Sequence, residues 1–188
     1  MEACLRRPRG IWRRILFFAA RVSEPDAARL AEVSAAFDTY GTAVLRAATA
    51  YLHNRADAED VLQETFVRRM QSAPKFESAE HEKAWLLRVA INLSKNRLAS
   101  GWVKHTQEIP ENLPLAEREQ LSFVWDAVAA LPPKYRAPIH LFYHEGYSGA
   151  EIAAILRMKE STVRSLLHRA RELLKTSLRE EYDFDDEI

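Results

Sequence analysis

Apolar residues return along most of this chain every three or four positions, the spacing of one helix face, and stretches of strict alternation are nearly absent. Phe37, Tyr40, Val44, Ala47 and Tyr51 form one such stripe within residues 28–53. Val61, Leu62, Phe66 and Met70 form a second. It is opened by Asp57, Glu59 and Asp60, where a helix dipole favours carboxylates, and closed by Pro74. A loop over 72–79 leads to a third stripe, Trp85, Leu86, Val89, Ala90 and Leu93, which Gly101 ends. Periodicity resumes at Phe123, Val124, Ala127 and Val128 and stops at Pro132-Pro133. A helix from Tyr135 to about His144 follows, then a turn at Glu145-Gly146-Tyr147. Ser148-Gly149-Ala150-Glu151 has the spacing of a capping box, in which the Ser and Glu side chains satisfy each other's backbone N–H. It stands directly before Ile152, Ala153, Ile155 and Leu156. After a break at 157–160, Val163, Leu166, Leu167, Ala170, Leu173 and Leu174 mark a longer helix.

Residues 101–119 differ in kind. Pro110, Asn112 and Pro114 lie among Glu108, Glu111, Glu117 and Glu119, the composition of an acidic linker. The pattern therefore predicts an all-α chain. Two small helical domains, 28–100 and 120–179, are joined by a flexible linker at 101–119, and the C-terminal one contains a helix-turn-helix. Residues 1–27 read as a basic N-terminal extension and 180–188 as an acidic, solvated tail. A domain of this size buries only about 60% of its unfolded surface, so each gains from docking onto something larger.

Charge is balanced in sum and uneven in place. The 188 residues hold 27 Lys+Arg and 27 Asp+Glu. Residues 157–179 carry seven bases and two acids, residues 1–22 six Arg and one Glu, and residues 180–188 six acids and no base. The single cysteine, Cys4, excludes an internal disulfide and a Cys-rich zinc site. No Gly-rich phosphate loop is present. No apolar stretch is long enough to cross a membrane, and Ile15 to Ala20 falls short of the roughly 7–15 residues of a signal-peptide core. The expectation is a cytoplasmic protein without cofactor or stable membrane insertion.

Three constellations carry candidate chemistry. On the last long helix, the face opposite the apolar one shows Arg164, Ser165, His168, Arg169, Arg171 and Lys175. A cationic helix of this kind fits the DNA major groove, where Arg grips guanine with two hydrogen bonds. An ordinary hairpin with a solvated basic face is the bland alternative. Second, Lys83, Arg88, Lys95, Arg97 and Lys104 run without an intervening acid, with Trp85 and Trp102 among them and Asn92 and Asn96 on the polar side. Cations and rings so interleaved suit a single strand of nucleic acid, although Trp85, in register with Val89, reads equally as core. Third, Asp57, Glu59, Asp60, Gln63 and Glu64 cluster on one helix, most economically a docking face for a basic partner. His140 and His144, four apart, lack a third metal ligand, and no catalytic triad can be assembled.

Read together, these residues resemble the extracytoplasmic-function (ECF) sigma factors, the minimal two-domain promoter-specificity subunits of bacterial RNA polymerase. The resemblance spans about residues 34–178 and rests on Asp57 to Phe66, on Ala84 to Leu93, and on Leu131 to Arg136 with Gly146 to Ala153 and Thr162 to Arg171. It implies that residues 28–100 are sigma region 2 and 120–179 sigma region 4. Asp60, Gln63 and Glu64 would meet the polymerase clamp helices. Lys75, Trp85, Arg88, Asn92, Lys95 and Asn96 would face the −10 DNA, with the loop around 75–82 capturing a flipped base. Ser161, Thr162, Arg164, Ser165, His168 and Arg169 would contact the −35 element. Implied partners are core polymerase, duplex and single-stranded promoter DNA, and an anti-sigma protein, with no small-molecule substrate. Ile91, Asn96 and Leu166 depart from the family's usual pattern; Leu166 replaces a frequent base. A stand-alone helix-turn-helix regulator is the competing reading, and it leaves the acidic helix and the Trp-containing basic helix without a purpose. Neither reading makes the chain an enzyme.

Overall fold

The computed structural model describes residues 24–100, 127–128 and 130–181, which are helices joined by short turns and loops. The extension to residue 23, the acidic linker with Phe123 and Val124, and the end of the tail lie outside the described residues.

Helix α1 (Glu24–Leu52) carries Pro25 in its first turn, where no intrahelical donor is required. Helix α2 (Arg55–Ser72) is capped by Asn54, whose side chain accepts from the Asp57 N–H at 2.9 Å. It ends at Ala73, left-handed at φ 40, whose N–H returns to the Arg69 carbonyl directly before Pro74. Helix α3 (Ala79–Ala99) is capped by Ser78, which accepts from the His81 N–H at 3.1 Å. The three helices enclose Val44, Ala48, Leu52, Ala58, Val61, Leu62, Phe66, Leu86 and Ala90. Phe37 and Phe66 meet edge-on at 5.0 Å.

The C-terminal unit begins with α4 (Pro133–Ile139), so Pro132-Pro133 both stops the preceding periodicity and starts a new helix. The single helix expected from Tyr135 to His144 is instead two pieces. Pro138 interrupts the donor ladder, and residues His140–His144 form a wider π-helical turn closed by the Glu145 N–H on the His140 carbonyl at 3.2 Å. Helix α5 (Gly149–Leu156) forms the expected capping box, with Ser148 N–H donating to Glu151 Oε2 at 2.8 Å. Arg157, left-handed at φ 53, makes the sharp turn into α6 (Glu160–Glu181). The α5–α6 pair is the helix-turn-helix.

The two units are packed together. A second apolar cluster joins Ala43, Ala47 and Tyr51 of α1 and Leu87 and Ile91 of α3 to Tyr135, Ile139, Leu141, Ile152, Ile155, Val163, Leu167 and Ala170. Helices α1 and α3 therefore bury two faces each, one in their own bundle and one on the helix-turn-helix. Polar contacts fix the register of this join. Arg136 donates to the Tyr51 carbonyl at 2.7 Å, satisfying an acceptor that the C-terminus of α1 leaves open. Lys83 on α3 reaches Glu145 at 2.6 Å. Among the described residues, no helix is long and apolar enough to cross a membrane.

Leu87 is fully buried in the cluster that both units share. Leu87→Ala is expected to cost about 2–5 kcal/mol in urea denaturation. Helical circular dichroism and tryptophan fluorescence are expected to fall in one coincident transition.

Candidate nucleic-acid interface

Helix α6 separates its faces cleanly. Val163, Leu167 and Ala170 are buried, while Ser161, Thr162, Arg164, Ser165, His168 and Arg169 are all exposed. Six of the candidate DNA contacts thus share one solvent face of one helix. Arg164 is held by Glu160 at 2.9 Å, an exposed pair worth at most about 1 kcal/mol, which a nucleic acid can displace. The Ser165 hydroxyl donates to the Ser161 carbonyl at 2.9 Å. Leu166 is half-buried against the shared core, which accounts for an apolar residue in the middle of a basic helix.

On α3, Asn92 and Asn96 are exposed, whereas Trp85, Arg88 and Lys95 are half-buried. Burial lowers the Arg88 pKa, and the charge of Arg157 on the helix-turn-helix lowers it further; burial also lowers that of Lys95. The join therefore sets Arg157 of the helix-turn-helix near Arg88 on the cationic face of α3. Trp85 packs on the α1–α3 core and meets Phe76 edge-on at 5.8 Å, so it is both core and loop support. Lys75 is exposed in the loop between α2 and α3.

The acidic helix is partly neutralised by its own chain. Arg97 bridges Asp57 at 3.2 Å and Asp60 at 3.3 Å, Arg55 holds Glu59 at 3.0 Å, and Arg68 holds Glu64 at 3.0 Å. Asp60 is exposed, and Gln63 and Glu64 are half-exposed. Pairs this open contribute little, so a cationic partner can take over these carboxylates.

His140 and His144 stack at 5.0 Å in the π turn, and Glu145 is drawn away to Lys83. Burial, reinforced by His144, lowers the His140 pKa to about 4; Glu145 opposes the shift, and Arg46 and Lys83 add to it. His140 is then uncharged at neutral pH, and its 3.7 Å approach to Glu145 is not an ion pair. Burial works to raise the Glu145 carboxyl, and the hydrogen bond and charge of Lys83, helped by the two histidines, hold it below the usual range. Among the described residues, no group of three or more His, Cys, Asp or Glu is placed to hold a metal ion.

Sequence reasoning missed three features of this surface: the Lys83–Glu145 pair, the Arg136 contact and the packing beneath the loop. In the last, Arg69, 6% exposed, pairs with Glu82 at 2.9 Å and lays its guanidinium 4.7 Å from the Phe76 ring centre. A signal was available, since Arg69 stands in register with Leu62 and Phe66, and Glu82 in register with Leu86 and Val89. Opposite charges on two facing apolar stripes imply a buried pair.

The family profile of Sigma-70 region 2 matches residues 36–103, and that of Sigma-70, region 4 matches residues 124–174. The ECF RNA polymerase sigma factor SigL of Mycobacterium tuberculosis is 33% identical over 173 residues, covering 86% of this chain and 97% of that protein. The chain belongs to the ECF sigma factors. SigW of Bacillus subtilis is 28% identical over 162 residues, covering 76% of this chain and 87% of the relative. Among solved structures, CnrH in complex with the cytosolic domain of CnrY superposes with a TM-score of 0.60 at 25% identity, covering 78% of this chain and 86% of that one. RpoE from Bartonella quintana, in complex with the anti-sigma factor NepR, has the same fold, with a TM-score of 0.64 at 21% identity over 76% of this chain and 94% of that one. In this sigma factor the first profile takes in most of α1 with α2 and α3, and the second takes in α4 to most of α6.

The join should also respond to acid. His140 has a folded pKa of about 4, below its ordinary 6.5, so its contribution to stability is full above 6.5 and lost as pH falls through 4. Glu145, also lowered, adds in the same direction below 4.5. The melting temperature is expected to drop between pH 6.5 and pH 4, and His140→Phe should flatten that drop. His53, held neutral to about 4 by burial and by Arg136, keeps part of the slope.

Proposed function

We propose that this sigma factor binds core RNA polymerase, directs it to promoters with particular −10 and −35 elements, and helps to open the duplex. The observation that carries this reading is the pairing of two DNA-suited helices in one chain that also bears an acidic docking face. A stand-alone regulator needs only the α5–α6 unit, and the region 2 match over 36–103 leaves that alternative without support.

Residues 28–100 form the polymerase-docking and −10 domain, and 120–179 the −35 domain, with 101–119 as linker. Asp60, Gln63 and Glu64 meet the clamp helices of core polymerase. Arg164 and its exposed neighbours Ser161, Thr162, Ser165, His168 and Arg169 enter the −35 major groove as duplex. Lys75, Trp85, Arg88, Asn92, Lys95 and Asn96 serve the −10 strand once it is single. Arg88 becomes fully available when Arg157 and the α5–α6 unit move off α3. The chain is a non-enzymatic subunit without small-molecule substrate or cofactor, and it works in the cytoplasm, where polymerase and chromosome meet. RpoE of Bartonella quintana is seen with an anti-sigma factor, and a partner of that class is proposed for this chain as well.

The Asp60→Lys, Glu64→Lys double variant is expected to weaken binding to core polymerase at least about tenfold, as like charges meet across the interface, while −35 duplex binding by the variant is unchanged. Unaltered polymerase affinity would show the docking assignment to be wrong. Arg164→Ala is expected to cost about 1–3 kcal/mol on the cognate −35 element in a binding titration. An equal loss on every sequence would place Arg164 on phosphate instead of a base.

A further inference from the structure

The loop from Ala73 to Ser78 is tied down at three points, and one residue contributes to all of them. The Arg69 carbonyl accepts the Ala73 N–H at 3.2 Å, where the chain leaves α2. The Arg69 guanidinium covers Phe76 in the middle of the loop at 4.7 Å. Its Nε donates to Glu82 at 2.9 Å, in the first turn of α3. Phe76 then meets His81 edge-on at 5.6 Å and Trp85 at 5.8 Å, which ties the loop to the nucleic-acid side of α3. Lys75 stands exposed beside it.

A buried pair of this kind is a poor way to gain stability. The desolvation of Arg69 and Glu82 offsets most of their attraction, and two apolar side chains would join α2 to α3 as firmly. What an apolar pair cannot supply is a flat, permanently charged plane against the Phe76 ring. We infer that Arg69 is a positioning residue, which with Glu82 pre-orders the 73–78 loop, through Phe76, to receive an unstacked promoter base and to discriminate among bases there. The inference rests on the proposed −10 role of this loop. A loop already held in place loses less entropy when a base enters, so the unstacking of that base is opposed by a smaller cost.

The test uses the full chain with core polymerase on promoter DNA carrying 2-aminopurine at successive −10 positions. The first variant is Arg69→Leu with Glu82→Leu, which removes both charges together and leaves none buried alone. Its thermal stability, core polymerase affinity and −35 duplex binding are expected to match the parent. Opening, read as 2-aminopurine fluorescence, is expected to fall about tenfold, and the preference among the four bases at the captured position to flatten. If opening and base preference both match the parent, Arg69 is structural only and the inference is overturned. Should the double variant fail to fold, Arg69→Lys decides the matter. Lysine keeps the charge opposite Glu82 but offers no plane to the ring, so flattened preference at unchanged polymerase affinity supports the inference and intact preference overturns it. No opening by the parent holoenzyme on any promoter would sink the −10 reading itself, and the inference with it.

Discussion

The structure depends on helices α1 and α3 having two buried faces. One face closes a three-helix unit around Val44, Val61, Phe66 and Leu86, and the other, through Ala47, Tyr51, Leu87 and Ile91, closes the core of the helix-turn-helix unit. Small domains bury too little surface to be robust alone. Here each unit completes the other, and the polar contacts of Arg136 and Lys83 specify how they meet. The same join sets the functional geometry. It leaves the basic face of α6 open to solvent and brings Arg157 near the half-buried Arg88 on α3.

Electrostatics follows a parallel logic. The net charge of zero is a balance of 27 basic and 27 acidic residues, and several of them also pair locally. Arg97, at one end of α3, holds Asp57 and Asp60 on α2, and Arg68 holds Glu64. The pairs at Asp60 and Glu64 are open and weak, so they keep complementary surfaces satisfied without committing them, while Asp57 is the more enclosed partner of Arg97. Buried charges behave differently. Arg69 with Glu82 and Lys83 with Glu145 sit where separation would strand a charge, so they fix geometry.

Features set by neighbours in sequence were legible in advance. The Ser148–Glu151 capping box, the break at 157–160, the α5–α6 hairpin and the split of α6 into buried and basic faces all depend on residues a few positions apart. The π turn was not legible, because a wider turn after Pro138 is settled by how Leu141 and His140 fit the shared core. The second buried faces of α1 and α3 were also hidden. Ala43, Ala47, Leu87 and Ile91 look like a generous apolar helix until a partner unit is placed beside them. Arg97 and Asp57 lie forty residues apart, and no local spacing announces such a contact. The segments 1–23, 101–126 and 182–188 lie outside the described residues, so the basic extension, acidic linker and last tail residues stand on sequence alone.

Run-off transcription tests the central claim most directly, with core RNA polymerase and genomic promoter fragments, in the presence and absence of the chain. Directed initiation is expected to appear only when the chain is added, from start sites that share one −10/−35 pair. Sequence-specific binding by the chain alone, with no stimulated transcript, would contradict the account and leave the acidic face of α2 without a partner.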